Sequence, residues 1–158
     1  MNNGSKSYKL ALGIAVVLIV ATALVAGCQE PSSATGVVSE ITMSTGVDSN
    51  NRPINPTTVY ATDADGFYCS FKMSGFPVGA QVEAQLIYVG GDPETEAVTG
   101  KNYVADTQSA IVTAEGQGYT STVYDKPPIP DYTWPKGDYK VVISVDGLEK
   151  ASTYFKVQ

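Results

Sequence analysis

From residue 37 onward, apolar and polar side chains repeatedly alternate along the chain, with a period of two. Successive side chains of a strand point to opposite faces, so this pattern predicts half-buried β-strands. Phe67, Cys69, Phe71 and Met73 share one face of a strand over Phe67–Ser74, with Tyr68, Ser70 and Lys72 on the other. Val82, Ala84, Leu86 and Tyr88 do the same over Gln81–Val89. Tyr139, Val141, Ile143 and Val145 alternate, Asp146-Gly147 turns the chain, and Ala151, Thr153, Phe155 and Val157 alternate back. An Asp-Gly pair between two alternating runs is a strong hairpin signal. Weaker strands are expected with Val37, Ile41 and Met43 on one face, and over Thr57–Ala61, Asn102–Ala105, Ser109–Ala114 and Tyr119–Tyr124. Gly75-Phe76-Pro77-Val78-Gly79 and Gly90-Gly91-Asp92-Pro93 are turn clusters. No window of a dozen residues carries a helical period. About 7–9 short antiparallel strands with regular turns predict an all-β sandwich.

A different pattern precedes it. Lys6 and Lys9 make a short basic start, and Leu10 to Gly27 is an uncharged run with Thr22 as its only hydroxyl. Basic then apolar is the export pattern. The run is long for a cleaved signal and just long enough to span a bilayer as a helix, so length alone does not decide. Its end, Val25-Ala26-Gly27-Cys28 after Leu24, resembles the bacterial lipobox. The resemblance implies that residues 1–27 are a lipoprotein signal peptide and that the Cys28 thiol receives a diacylglyceryl group. Cleavage then leaves Cys28 as the acylated N-terminus. Each buried methylene contributes about 0.8 kcal/mol, so several acyl chains hold a protein firmly to a bilayer. The alternative is an uncleaved transmembrane anchor in which Cys28 is incidental. Residues 28–36 are small and polar with one proline, a linker that reaches at most about 25–30 Å when extended. The sandwich is expected over 37–158.

Trp134-Pro135-Lys136-Gly137-Asp138-Tyr139-Lys140-Val141 resembles the segment that opens the penultimate strand of fibronectin III and related immunoglobulin-like domains. That resemblance implies a structural corner made by Tyr139, Trp134 and Gly137. In it the Tyr139 hydroxyl bonds to backbone a few residues upstream. The paired inter-sheet cysteines of antibody domains are missing, which excludes that subgroup and leaves the fold intact.

Composition narrows the chemistry. The chain has no histidine, which excludes Ser-His-Asp and Cys-His catalysis and histidine-ligated metal. Its net charge is −6; removing the signal takes Lys6 and Lys9 with it and leaves eight basic against 16 acidic residues, a net −8. That balance, without a basic stripe, argues against nucleic acid. Cys69 alternates with Phe67 and Phe71, which points to an inert core thiol rather than a dimer link. Thr62-Asp63-Ala64-Asp65-Gly66 is a fragment of a calcium loop, but Ala61 and Lys72 stand where further acids belong, so it reads as a turn and no metal is expected. Neither is any other cofactor. Tyr124, Tyr132 and Trp134 flank a stretch with four prolines, Pro127, Pro128, Pro130 and Pro135. This is either a stiff contact loop or a rigid crossover with Trp134 capping the core. The sum is a lipid-anchored, extracytoplasmic protein with a non-catalytic binding, scaffolding or accessory role in the cell envelope. Its expected partners are the bilayer, through Cys28, and an envelope protein or glycan. The alternatives are a carbohydrate-binding module and an enzyme subunit with an unidentified carboxylate site.

Overall fold

The alternating runs fold into two facing sheets in the computed structural model, which describes residues 35–158. The expected signal segment, Cys28 and most of the linker lie outside the described residues. In chain order the elements are β1 (Val37–Val47), β2 (Pro53–Pro56), β3 (Val59–Tyr60), β4 (Gly66–Ser74), β5 (Gln81–Gly90), α1 (Pro93–Thr99), β6 (Tyr103–Ile111), β7 (Gln117–Asp125), β8 (Gly137–Val145) and β9 (Leu148–Val157). One sheet has the order β2-β1-β4-β7, the other β3-β9-β8-β5-β6. The alternating residues of β4, β5 and β8 meet between them: Phe67, Leu86, Val141, Ile143 and Val145 are at most 1% exposed. Cys69 sits among them as a buried free thiol.

Four expectations need correction. In β1 it is Val38 that is buried, with Val37 at 57% exposure. The cause is a bulge between Ser39 and Thr42, where Glu40 takes a left-handed φ of 52°. The extra residue brings Val38 and Met43, five apart, onto the same face. The pairing is not wholly antiparallel, because β3 runs parallel to β9. The chain leaves the first sheet after Pro56 and lands on the edge of the second, where Thr58 and Tyr60 carbonyls accept from Lys156 and Gln158 N–H. The two pieces expected within residues 102–114 are one strand, β6, whose polar middle Asp106-Thr107-Gln108 concealed its continuity. Finally, Asp92-Pro93 does not only stop β5 but starts a helix. Asp92 caps it by accepting from Thr95 N (3.1 Å), and Pro93 occupies its first turn. This helix buries no residue, so it has no apolar period to read.

The β8–β9 hairpin turns through Asp146 (φ 50°) and Gly147 (φ 77°), two left-handed residues as a type I′ turn requires. Gly36, the last residue of the expected linker, is already buried, and a Cβ there would lie 2.4 Å from the Phe76 ring. The chain therefore enters the sandwich at the end where Val37 pairs with Ser74 and Ser74 with Gln117. Gly66 and Asp125 mark the opposite end, nine strand residues or about 25–30 Å away.

Candidate functional site

The two flanks of the sandwich are built differently. On the β3 side the Tyr60 hydroxyl donates to Ser44 O of β1 (2.8 Å), which ties the sheets together. On the other side the edge strands β6 and β7 face each other without pairing. Register shows what meets there. Asp106, Gln108 and Ala110 lie opposite the inward residues Leu86, Ala84 and Val82, while Thr120, Thr122 and Tyr124 lie opposite Phe71, Cys69 and Phe67. The seam is thus lined with polar side chains. Gln108 clasps it at the middle, donating through Nε2 to Val123 O (2.5 Å) and accepting from Thr122 Oγ1 (2.6 Å).

Either side of this clasp is a hollow. One, of about 430 Å³, has Phe71, Met73, Phe76 and Val82 in its lining and lies toward the end where the chain enters. The other, of about 390 Å³, lies toward the opposite end and is walled by aromatic rings, among them Tyr88, Tyr103, Tyr124, Tyr132 and Trp134. Asp106 and Asp125 also line it, and no lysine or arginine does. Asp106 accepts from Thr107 N (2.8 Å) and more distantly from Gln108 Nε2 (3.4 Å). No cation pairs with either carboxylate among the described residues.

Tyr124, expected as an exposed contact ring, is 1% exposed because the alternation of β7 turns it inward. Among the described residues its hydroxyl is the one buried side-chain polar atom without a hydrogen bond. Burial pushes its phenol pKa up, partly offset by the neighbouring Thr122 hydroxyl and reinforced by the charge of Asp106. Trp134, also expected at the surface in one of the two readings, is 7% exposed. It packs on Phe67 at 4.4 Å, and its Nε1 donates to Ala64 O (2.9 Å). Tyr132 alone of the three is half-buried, edge-on to Trp134 at the cleft. Its phenol too is raised by desolvation.

The corner residues lie directly behind the cleft. The Tyr139 hydroxyl donates to Pro135 O (2.8 Å), and its ring stacks on Phe155 at 5.2 Å. Gly137 has φ 143°, and a Cβ there would meet Gly90 O at 2.5 Å and Tyr88 at 2.8 Å. Only glycine lets β5 and β8 close here. The turn at Asp63 and Asp65 serves the same region: Thr62 O accepts from Trp134 N, Ala64 O from Trp134 Nε1 and Asp65 O from Lys126 N. Its backbone oxygens therefore hold the crossover from β7 to β8. Sequence reading missed Asp106, Tyr88 and Tyr103 as cleft residues and Gln108 as the clasp beside it. The pairing of β6 with β5 would have shown them, but an exposed polar edge strand has no apolar face to announce it.

No protein-family model matches the chain, and no curated protein does. Among solved structures, an immunoglobulin-like protein of Pseudomonas aeruginosa is similar at TM-score 0.52 and 16% identity, over 80% of this chain and 99% of that one. The fold is an immunoglobulin-like β-sandwich. Part of the alkylpurine DNA glycosylase AlkC of Pseudomonas fluorescens is similar at TM-score 0.53 and 14% identity, over 79% of this chain but only 31% of the glycosylase. The β-glucosidase 3B of Thermotoga neapolitana matches at TM-score 0.47 and 11% identity, and 16% of that enzyme is covered. At such identities the likeness to the first two speaks for the fold alone, and immunoglobulin-like sandwiches host many unrelated roles.

Proposed function

We propose that this chain is a lipid-anchored, extracytoplasmic β-sandwich with a non-catalytic binding role in the cell envelope. It is held by acylated Cys28 and presents its aromatic cleft to a partner. The observation that carries the reading is topological. The segment that follows Cys28 enters the sandwich at Thr35–Gly36, and the cleft lies at the other end of the strands. An anchor at one end leaves the other end free to meet a partner. No helix among the described residues is long and apolar enough to cross a membrane. A carbohydrate-binding role finds less support, because Trp134 and Tyr124 are buried and offer no flat exposed platform to a sugar face. The test is mass spectrometry of the N-terminal peptide from membranes. The proposal expects a mature chain starting at Cys28 and carrying a diacylglyceryl mass. An intact chain starting at Met1 with an unmodified Cys28 refutes the anchor.

A further inference from the structure

We infer that the end of the sandwich where the chain enters rests on the bilayer, with its apolar tips in the interfacial region. This depends on one part of the reading above, that the chain is attached to a membrane ahead of residue 35. Register collects the tips at one end. In the first sheet Val37 pairs with Ser74, and Ser74 with Gln117. In the second Leu148 pairs with Val145 and Val145 with Val82, while Gln81 next to Val82 pairs with Ile111. The connections 75–80 and 112–116 join the two sheets at this same end. Val37, Val78, Ile111 and Leu148 stand out from it, each 46–64% exposed.

Apolar side chains are exposed elsewhere too, Val98 and Ile129 among them, and it is charge that tells the two ends apart. The connections of the far end carry Asp63, Asp65, Glu94, Glu96, Lys126 and Asp131. Pressing these against hydrocarbon would strip charged groups of water, at a cost well above what an apolar contact returns. At the near end the connections hold two charged residues, Glu115 and Asp146, and Asp146 turns its carboxylate back to accept from Gln81 N (2.9 Å). Glu149, beside Leu148, is held by Lys140 at 3.3 Å. With no base at these connections, the tips are drawn to the apolar boundary of the bilayer rather than to headgroup charge. Chain length supplies the second argument. Residues 28–35 span at most about 25–30 Å, so the end that bears the tips is the one kept at the surface. A short tether gives an effective concentration of about millimolar, so a contact too weak to bind a free domain is populated in the attached chain.

The experiment makes Val78→Cys or Ile129→Cys in the full chain, labels the new thiol with an environment-sensitive fluorophore, and reconstitutes the chain in phosphatidylcholine vesicles. Wild type treated alike gives the background from Cys28 and Cys69. Lipids carrying a nitroxide at the interface should quench the label at position 78 about two-fold or more and leave that at 129 unchanged, at low and high salt alike. Val37→Glu with Leu148→Glu alters two exposed positions and should reduce the quenching at 78 to the level at 129 without moving the urea midpoint. Equal quenching at both positions, quenching at 78 that salt abolishes, or full quenching in the double variant would each overturn the inference. The Cys28 peptide mass from the same vesicles keeps the two proposals apart. An attached chain whose label at 78 is unquenched defeats this one alone. A quenched label on a chain with unmodified Cys28 defeats only the lipid anchor, and a chain that stays off the vesicles defeats both.

Discussion

Two buried tyrosines at the same end of the sandwich offer a matched pair of deletions that differ in one respect. Tyr139 and Tyr124 are 2% and 1% exposed, and both rings lie in the same core. Replacing either by phenylalanine keeps the ring and removes only a hydroxyl. At Tyr139 that hydroxyl donates to Pro135 O at 2.8 Å, so Tyr139→Phe loses a hydrogen bond and leaves the carbonyl short of a donor. The net worth of such a bond is about 1 kcal/mol. At Tyr124 the hydroxyl makes no hydrogen bond of good geometry, with only the Thr122 hydroxyl close beside it, and folding strips it of water for little return. Leaving a buried polar group unsatisfied costs about 1–3 kcal/mol, so Tyr124→Phe should be neutral or raise stability by roughly 1 kcal/mol. The two variants should therefore differ by about 1–2 kcal/mol, with opposite signs or nearly so. Equilibrium urea unfolding of the full chain in detergent, followed by Trp134 fluorescence, measures this directly. An unchanged denaturant slope would confirm that only stability has moved. If both variants lose stability equally, the phenol of Tyr124 has a partner in solution, and the stability argument falls.

Further expectations follow from the same geometry. Gln108→Ala should cost about 1–2 kcal/mol by opening the clasp to Thr122 and Val123, although Gln108 stands on a strand that is otherwise exposed; Ser109→Ala beside it should stay within about 0.5 kcal/mol in the same urea assay. Gly137→Ala should destabilise by more than about 2 kcal/mol, since its Cβ would strike Gly90 O and its φ disfavours a side chain, and thermal unfolding would show it. Burial pushes the Cys69 thiol pKa from 9.0 up to about 12, so native protein should resist alkylation at pH 8 and react only when unfolded. Because the unfolded thiol ionises first, the unfolded state holds fewer protons between pH 9 and 12 and stability must fall across that window. The buried phenols of Tyr60, Tyr124 and Tyr139, also raised by desolvation, act in the same direction. A flat melting temperature from pH 8 to pH 11 would contradict this.

What the sequence revealed, and what it hid, has a physical pattern. Strands with one face in the core announce themselves, and β4, β5, β8 and β9 lie where their alternation places them. The Asp146-Gly147 turn was legible because its backbone demands particular residues. Errors came where no apolar face existed to read. The strand β6 is exposed along nearly its whole length, α1 buries nothing, and the bulge at Glu40 breaks the very period used to read β1. The candidate site fell into that blind region. Its rings at Tyr124, Tyr132 and Trp134 were visible as aromatic residues beside prolines, but their burial was not. Asp106 and Gln108 became visible only when pairing set them across from Tyr124 and Thr122.

The same residues explain why a cleft persists here at all. Two sheet edges facing each other across a gap invite closure, or pairing with another chain, since each carries unpaired backbone groups. Apolar side chains along the inner faces of β6 and β7 would draw the edges together and fill the space between. This chain places Asp106, Gln108, Thr120 and Thr122 there instead. Asp106 stands exposed at the mouth of the seam, while Gln108 bonds to the Val123 carbonyl and the Thr122 hydroxyl of β7 and sets the width of the gap. On the other flank no such device is needed, because the chain crosses there from β2 of one sheet to β3 of the other and Tyr60 ties them. The polar seam thus does two things through one arrangement. It guards an edge against pairing, and it keeps a hollow open on either side of the Gln108 clasp. A substitution that makes the seam apolar, such as Asp106→Leu with Gln108→Leu, should therefore close the cleft and promote self-association together. Light scattering and the accessibility of Trp134 to acrylamide, a neutral fluorescence quencher, would read both effects in one sample. Loss of the probe response without any rise in apparent mass would separate the two roles and refute the link between them.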